Sequence, residues 1–416
     1  MRTAAILFAL GLLSSCNNMM DAELTQRNTF IRLFSGKLAL TAADMKVTSN
    51  GDIVILGNMP HPRFVNTTRD LVTVVIRTDR NGNRIGEVVY LPGGIGNSIL
   101  ELPDNSFLVV GESNPDPLTG STSARILRLS ASLSKTDSIG KAHPSINYRA
   151  LTTTLDNSGN PVILGAYIAE DQFERPYLET LNASLQTQWY QEVDLLNRNY
   201  RNSRSVQFSN GNVLWASAIA QEGTINESYV SIPFVPEGSV FTNYSTLGQT
   251  TQQYFRAEDI QPANNPAFGY GVIGTRASIT GSQANMFFLR VDVDGNIDPQ
   301  SIRYYDAVLS QTNTTVTESQ TESEDAGTAI TSTRDGNYIL AGSYQVTTVN
   351  YDIVLIKIDL LGNIIWMKTL GGTGSETVTR IQETQDGNLL IFGTNVVQGV
   401  ASVFLIKTDS NGELKN

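Results

Sequence analysis

The chain is short of cysteine, histidine, tryptophan and positive charge. It has one cysteine, two histidines and three tryptophans in 416 residues. A single cysteine, Cys16, excludes an intrachain disulfide and a cysteine-based metal centre. Two histidines, His61 and His143, each sit beside proline in a loop. They are too few for a histidine metal site, and no G-x-S-x-G elbow accompanies them to make a Ser-His-Asp triad. Basic residues number 29 against 40 acidic ones, a net charge of −11. Nucleic acid needs a basic footprint and is excluded, as is binding of anionic lipid heads through the body of the protein. No glycine-rich loop opens a helix, so a nucleotide site has no support. Helical periodicity is missing from the bulk of the chain. The apolar run Ala4 to Leu13 is too short to span a bilayer, and no other segment is apolar enough.

What is present begins at the N-terminus. Arg2, the short apolar run and then Leu13-Ser14-Ser15-Cys16 resemble a bacterial lipoprotein signal. The resemblance implies cleavage before Cys16 and acylation of that residue, hence anchoring in an outer membrane. Residues 1–15 are then a signal peptide and 16–27 a lipidated tether. Residues 28–416 form a single domain.

That domain repeats. TRDGNYILAGSY at 333–344 returns as TQDGNLLIFGTN at 384–395. With Gly342 as the anchor, equivalent positions fall at Gly57, Gly111, Gly165, Ser217, Gly274 and Gly393. In front of most anchors stands a Gly or Asn turn and then a short apolar, β-branched run, the pattern of a hairpin and strand. A second turn follows as Asp79-Arg-Asn-Gly82, Asp292-Val-Asp-Gly295, Asp359-Leu-Leu-Gly362 and Asp409-Ser-Asn-Gly412. The sixth repeat reads as four strands: GTAITSTR, NYILAGSY, DIVLIKID and NIIWMKTL.

Repeated four-stranded units predict an all-β fold, a seven-bladed β-propeller of antiparallel blades. Blades are expected near 37–92, 93–144, 145–197, 198–251, 252–320, 321–374 and 375–416. The strand-like segment 28–36 would complete the last blade and close the ring, covering an edge. The anchor glycine marks a place where a side chain would crowd the neighbouring layer. Ala307 to Asp325 reads as a polar insertion with too few apolar residues to pack.

The segments TESEDAGTAITSTRDGNYILAGSY and YDIVLIKIDLLGNIIWMKTLGGTGSE resemble the DGGYIVAG-type propeller repeats of Bacteroidota envelope lipoproteins. The resemblance implies a lipid-anchored outer-membrane protein but no single activity.

The search for chemistry yields few candidates. Asp292-Val-Asp294-Gly295 is rich in oxygen, but its glycine stands fourth where a calcium loop needs it sixth, so the turn reading prevails and no metal is assigned. Asp359 to Trp366 matches the docking motif of quinone-dependent dehydrogenases once and one residue short, and no cofactor is assigned. Aromatic-Arg pairs recur at Tyr148-Arg149, Tyr200-Arg201 with Arg204, and Phe255-Arg256 with Tyr254. At one mouth of a central channel they would form a rim suited to sugar stacking, carboxylate capture or a protein hot spot. Their alternative role is packing between blades, with each Arg paired to a carboxylate. Glu258, Asp259, Glu324 and Asp325 are the carboxylates placed to form a catalytic dyad.

The expectation is therefore a non-catalytic binding or scaffold protein, partnered by an outer-membrane complex or a glycan and not by nucleic acid. The alternatives are a polysaccharide hydrolase or lyase, and a structural subunit of an envelope assembly.

Overall fold

The computed structural model describes residues 29–36, 38–60, 71–141, 146–168, 171–193, 199–209, 211–220, 228–239, 243–248, 253–278, 284–317 and 320–415. Cys16, His61 and His143 lie outside the described residues.

Asp-Gly-Asn turns the chain. Gly336 and Gly387 take φ of 84° and 80°, where only glycine enters freely. The turn aspartate is held from both sides. Thr333 Oγ1 donates to Asp335 Oδ1 at 2.6 Å. Lys357 Nζ reaches Asp335 Oδ2 at 2.5 Å from the third strand of the repeat. The same cation–turn pairing recurs as Lys407–Asp386 at 2.7 Å and Arg77–Asp52 at 2.7 Å. In the second turn, Asp79, Asp292, Asp359 and Asp409 each use Oδ1 to accept two backbone N–H groups, at 2.8–2.9 Å. These carboxylates shape turns.

Between the turns run strands. β1 (Phe30–Phe34) comes first in the chain and is taken up by the last sheet. The first sheet is β2 (Thr41–Val47), β3 (Ile53–Pro60), β4 (Leu71–Thr78) and β5 (Val89–Pro92). The second is β6 (Gly94–Glu101), β7 (Phe107–Ser113), β8 (Ala124–Leu129) and β9 (Lys135–Lys141). The third is β10 (Asn147–Leu155), β11 (Pro161–Ile168), β12 (Glu174–Leu181) and β13 (Thr187–Glu192). The fourth repeat gives β14 (Tyr200–Ser209), β15 (Asn212–Ala220), β16 (Ser228–Pro236) and β17 (Asn243–Leu247). The fifth gives β18 (Gln253–Pro262), β19 (Tyr270–Ser278), β20 (Ala284–Val291) and β21 (Ile297–Tyr305). The sixth gives β22 (Asp325–Ser332), β23 (Tyr338–Thr347), β24 (Asn350–Ile358) and β25 (Ile364–Leu370). The last sheet runs β26 (Ser375–Glu383), β27 (Leu389–Val397), β28 (Val400–Thr408) and then β1, with Phe30 opposite Lys407.

The expected propeller of seven separate blades closed into a ring is corrected. The strands form six discrete hydrogen-bonded sheets, five of four strands and one of eight, and none closes on itself. The eight-stranded sheet arises because β16 pairs in parallel with β18 at Ser228 and Tyr254. The Ser228 hydroxyl makes the join. It donates to the Phe255 carbonyl at 2.6 Å and accepts the Phe255 N–H at 3.1 Å.

Middle strands such as β23 and β27 are apolar on both faces because apolar layers lie on either side of their sheets. Outer strands such as β9 are mostly exposed.

Every first strand of a repeat carries a bulge, for example between Ala42 and Asp44, Ala257 and Asp259, and Val378 and Arg380. The bulge explains the anchor glycines. A Cβ at Gly342 would collide with the Ala326 carbonyl, and at Gly393 with the Thr377 carbonyl. The crowding at these two glycines therefore comes from the first strand of the same sheet, and at Gly165 from the Tyr177 ring of the third strand, not from a neighbouring layer.

The insertion after β21 packs, contrary to its composition. Asp306 is fully buried and its carboxylate accepts four backbone N–H groups, from Val308, Leu309, Glu322 and Ser323, at 2.7–3.0 Å. One side chain thus supplies the order that apolar residues do not.

Candidate functional site

The seven first strands, β2, β6, β10, β14, β18, β22 and β26, all line one central cavity of about 280 Å³. A bulge re-aims the residue that follows it. Here it gathers Asp44, Asp259 and Arg380 in that cavity. Arg380 Nε lies 2.6 Å from Asp44 Oδ1, and its Nη1 lies 3.7 Å from Asp259 Oδ1. Its remaining donors reach Ser205 Oγ at 3.0 Å and the Arg204 carbonyl at 2.7 Å. Asp44 Oδ2 accepts from Ser98 Oγ at 2.6 Å and Ile99 N at 2.9 Å. Asp259 Oδ2 accepts from Ile330 N at 3.1 Å. Burial works against the charge of Arg380, but Asp44 and Asp259 outweigh it and raise its pKa. This network ties strands from six repeats together and holds Asp259 as a counter-charge. Burial raises the Asp259 carboxyl, with Arg380 and then Ser205, Ile330 N–H and Ile260 N–H opposing.

Above it, toward the starts of β10, β14 and β18, lies a cleft of about 490 Å³ lined by Arg149, Glu174, Asn199, Arg201, Tyr254 and their neighbours. Arg149 Nη2 pairs with Glu174 Oε2 at 2.5 Å. Arg256 pairs with Glu258, and Arg204 Nε stands 3.7 Å from the same carboxylate. Burial, then the charge of Arg201, brings Arg256 down to about 10, with Tyr254 opposing and Arg204 adding to the shift. Arg204 is held below its ordinary value by burial and by Arg380 and Arg201, against Asp259 and Asp44. The mouth is thus a concentration of guanidinium charge in an acidic chain. Behind it, burial pushes the Glu112 carboxyl up, against the pull of Arg149, and Glu174 adds to the rise.

The aromatic-Arg residues divide. Tyr148 is buried, stacked on Tyr167 at 6.0 Å and edge-on to Tyr177 at 5.8 Å. Phe255 is buried edge-on to Phe287 at 5.4 Å, and Tyr200 is buried with Ile219 and Tyr229. Tyr254 is half-buried on the cleft wall and Arg201 is exposed there.

The four carboxylates do not form a dyad. Glu258 is buried against Arg256 and Arg204. Asp325 is buried, accepts the Ala307 N–H at 2.7 Å and the Ser323 hydroxyl at 2.8 Å, and is pushed up to about 8 by burial. Glu324 is half-buried and raised by burial, with the Ala284 N–H opposing.

Asp44, Glu112, Glu174 and Arg380 were missed by the sequence reading. A signal existed for two of them. Asp44 and Arg380 stand equally far before their anchors, Gly57 and Gly393, at a place where other repeats carry Ser98 or Thr152.

No family model and no curated protein sequence matches this chain. Solved structures do. A PL25-family polysaccharide lyase, an ulvan lyase, superposes with a TM-score of 0.60 at 9% identity, over 92% of this chain and 98% of that one. The same type of lyase bound to -[GlcA(1-4)Rha3S]- gives 0.58 at 9% identity, over 92% and 98%. The α-L-arabinofuranosidase Arb93A of Fusarium graminearum gives 0.49 at 11% identity, over 93% and 100%, too low to carry an argument.

At these identities the likeness to the lyase establishes a shared fold alone. It corrects the expected kinship with Bacteroidota repeat lipoproteins: the fold is shared with a polysaccharide lyase, and no family model supports the expected kinship. The reading as a non-catalytic scaffold is set aside on the same finding.

Proposed function

We propose that this protein is a carbohydrate-active enzyme that cleaves an acidic, uronate-containing polysaccharide at the cleft formed by β10, β14 and β18. The carrying observation is that Arg149 and Arg201 line this cleft, with Arg204 and Arg256 near Arg201 and paired to Glu258, in a chain with net charge −11. The shared fold with a uronate-polymer lyase supports the reading.

Guanidinium groups recognise carboxylate and sulfate with paired, charge-assisted hydrogen bonds. A guanidinium on a uronate carboxylate also makes the adjacent C5–H more acidic, since it stabilises the charge that develops as the proton leaves. Tyr254 is the more exposed of the two phenols on this wall, Tyr200 being buried, and it lies beside the positive charge of Arg256. As base it would take the C5 proton, the C4–O bond would break, and a C4=C5 double bond would form. The departing oxygen takes the proton that Tyr254, starting as phenolate, removed from C5, so atoms and charge balance without water.

The test is turnover of uronate polysaccharides. Tyr254→Phe is expected to lower kcat by about 10²–10⁴-fold with binding kept. Arg201→Gln is expected to lower kcat/KM about tenfold or more. Full turnover by Tyr254→Phe would remove the phenol from the reaction. Neither cleavage nor binding of any such polymer would end the proposal.

A hydrolase reading has one observation of its own. Glu112 is pushed up by burial while its neighbour Glu174 is ion-paired, the contrast an acid and a base require. Reducing ends released without a double bond would favour it.

The location rests on the leader residues alone. Acylation at Cys16 would anchor the enzyme in the outer membrane; palmitate label in the wild type and none in Cys16→Ala is the expected result.

A further inference from the structure

Away from the cleft, between the sixth sheet and the last, three side-chain oxygens are buried without a hydrogen-bond partner: Asp352 Oδ1, Glu376 Oε2 and Asn395 Oδ1. Asn395 lies opposite Glu376 in the β26–β27 ladder, and Asp352 is the third residue of β24 in the adjacent sheet. Glu376 is only 6% exposed. Among the described residues neither carboxylate has an ion pair.

The loop that joins the two sheets, Gly371-Gly372-Thr373-Gly374, lies over these oxygens. A Cβ on Gly371 would run into the Asp352 carboxylate, and one on Gly374 into the Asn395 amide oxygen. A Cβ on Gly372 would stand 3.7 Å from Glu376 Oε1. The three glycines bring backbone close to three side chains that each keep one oxygen without a donor, while the rest of the Glu376 carboxylate draws on the Gly372 and Glu376 N–H groups.

The corresponding place one repeat earlier is built differently. Asp325 there matches Glu376 in its sheet position, and it accepts the Ala307 N–H and the Ser323 hydroxyl from the insertion. Donors satisfy that carboxylate. Burial of one oxygen on each of these three side chains without a donor is unfavourable unless a cation joins them.

We propose that Asp352, Glu376 and Asn395, under the Gly371–Gly374 loop, form a site for a hard divalent cation of the calcium class. Carboxylate and amide oxygens are the ligands such ions take, with water and backbone carbonyls completing the shell. The site lies between two successive sheets and away from the arginine cleft, so its role is to fasten those sheets. It stands whether or not the cleft cleaves a polysaccharide.

The test uses the full chain freed of metal by chelation. Calcium is expected to raise the midpoint of thermal unfolding by several degrees. Terbium in its place is expected to luminesce on excitation of tyrosine, since Tyr344 stands opposite Asp352 in the ladder. Glu376→Gln and Asp352→Asn should each lose both responses. In chelator Glu376→Gln should be no less stable than the wild type, because a buried unpaired charge is gone. Should either variant fail to fold, the other carries the comparison. No calcium shift and no terbium signal in the wild type overturns the site. So does an equal response in the variants.

Discussion

At the residue scale the strongest constraint is close approach of backbone. Gly342 faces the Ala326 carbonyl where β22 bulges. Gly342→Ala is expected to lower stability by about 1–3 kcal/mol, read as a shift of the urea midpoint, because either the bulge or the ladder must move. Asp325 makes a different kind of prediction. Burial holds its pKa at about 8 in the folded chain, above its unfolded value of 3.8. The native state then binds the extra proton between those values. Stability contributed by this group is full below the unfolded value and falls as pH rises toward 8. Asp325→Asn keeps an acceptor for the Ala307 N–H and is expected to flatten that fall in pH-dependent denaturation. An unchanged slope would show that the carboxyl stays ionised. Turn residues at this scale were legible in the sequence. Asp-Gly-Asn and Asp-x-x-Gly fix φ and backbone acceptors locally, and the structure uses them as turns. The cavity network was not legible, since Arg380 meets Asp44 and Asp259 only through folding across several repeats.

At the element scale, strand content and spacing were legible, because apolar runs between turns need no tertiary information. The grouping of strands was not. The fourth and fifth repeats share a sheet through one parallel backbone pair, Ser228 with Tyr254, beside which the Ser228 hydroxyl bonds the Phe255 backbone. Nor could composition show that Asp306 folds the polar insertion by taking four N–H groups. β1 makes a testable element. It covers the β28 edge by pairing Phe34 with Val403 and Phe30 with Lys407. Removal of residues through Phe34 should leave an apolar edge open, and such edges recruit other chains. The expected outcome is concentration-dependent association by sedimentation. A stable monomer would show that the last sheet holds without β1.

At the scale of the whole molecule, two features set the chemistry: a buried ionic network in the cavity and a cationic cleft beside it. The first is structural. Arg380→Met leaves Asp44 and Asp259 buried without their counter-charge, and an expected loss of about 3–5 kcal/mol should appear in denaturant unfolding. The combined variant with Asp44→Asn and Asp259→Asn should recover much of it. The second feature is where function was only half visible. The recurring Arg residues stood out in sequence, but their aromatic partners Tyr148, Tyr200 and Phe255 are buried in apolar layers. Glu174 lines the cleft from β12, and Glu112 follows the anchor Gly111 on β7, where the repeat marks the glycine and not the carboxylate.

The most direct test of the central claim is cleavage of a uronate polysaccharide beside its carboxyl-reduced counterpart, followed by ultraviolet absorbance of the new double bond. The expected result is absorbance that grows with the native polymer and none with the reduced one, since the guanidinium groups have lost their anion. Equal cleavage of both, or no action on either, would contradict the account.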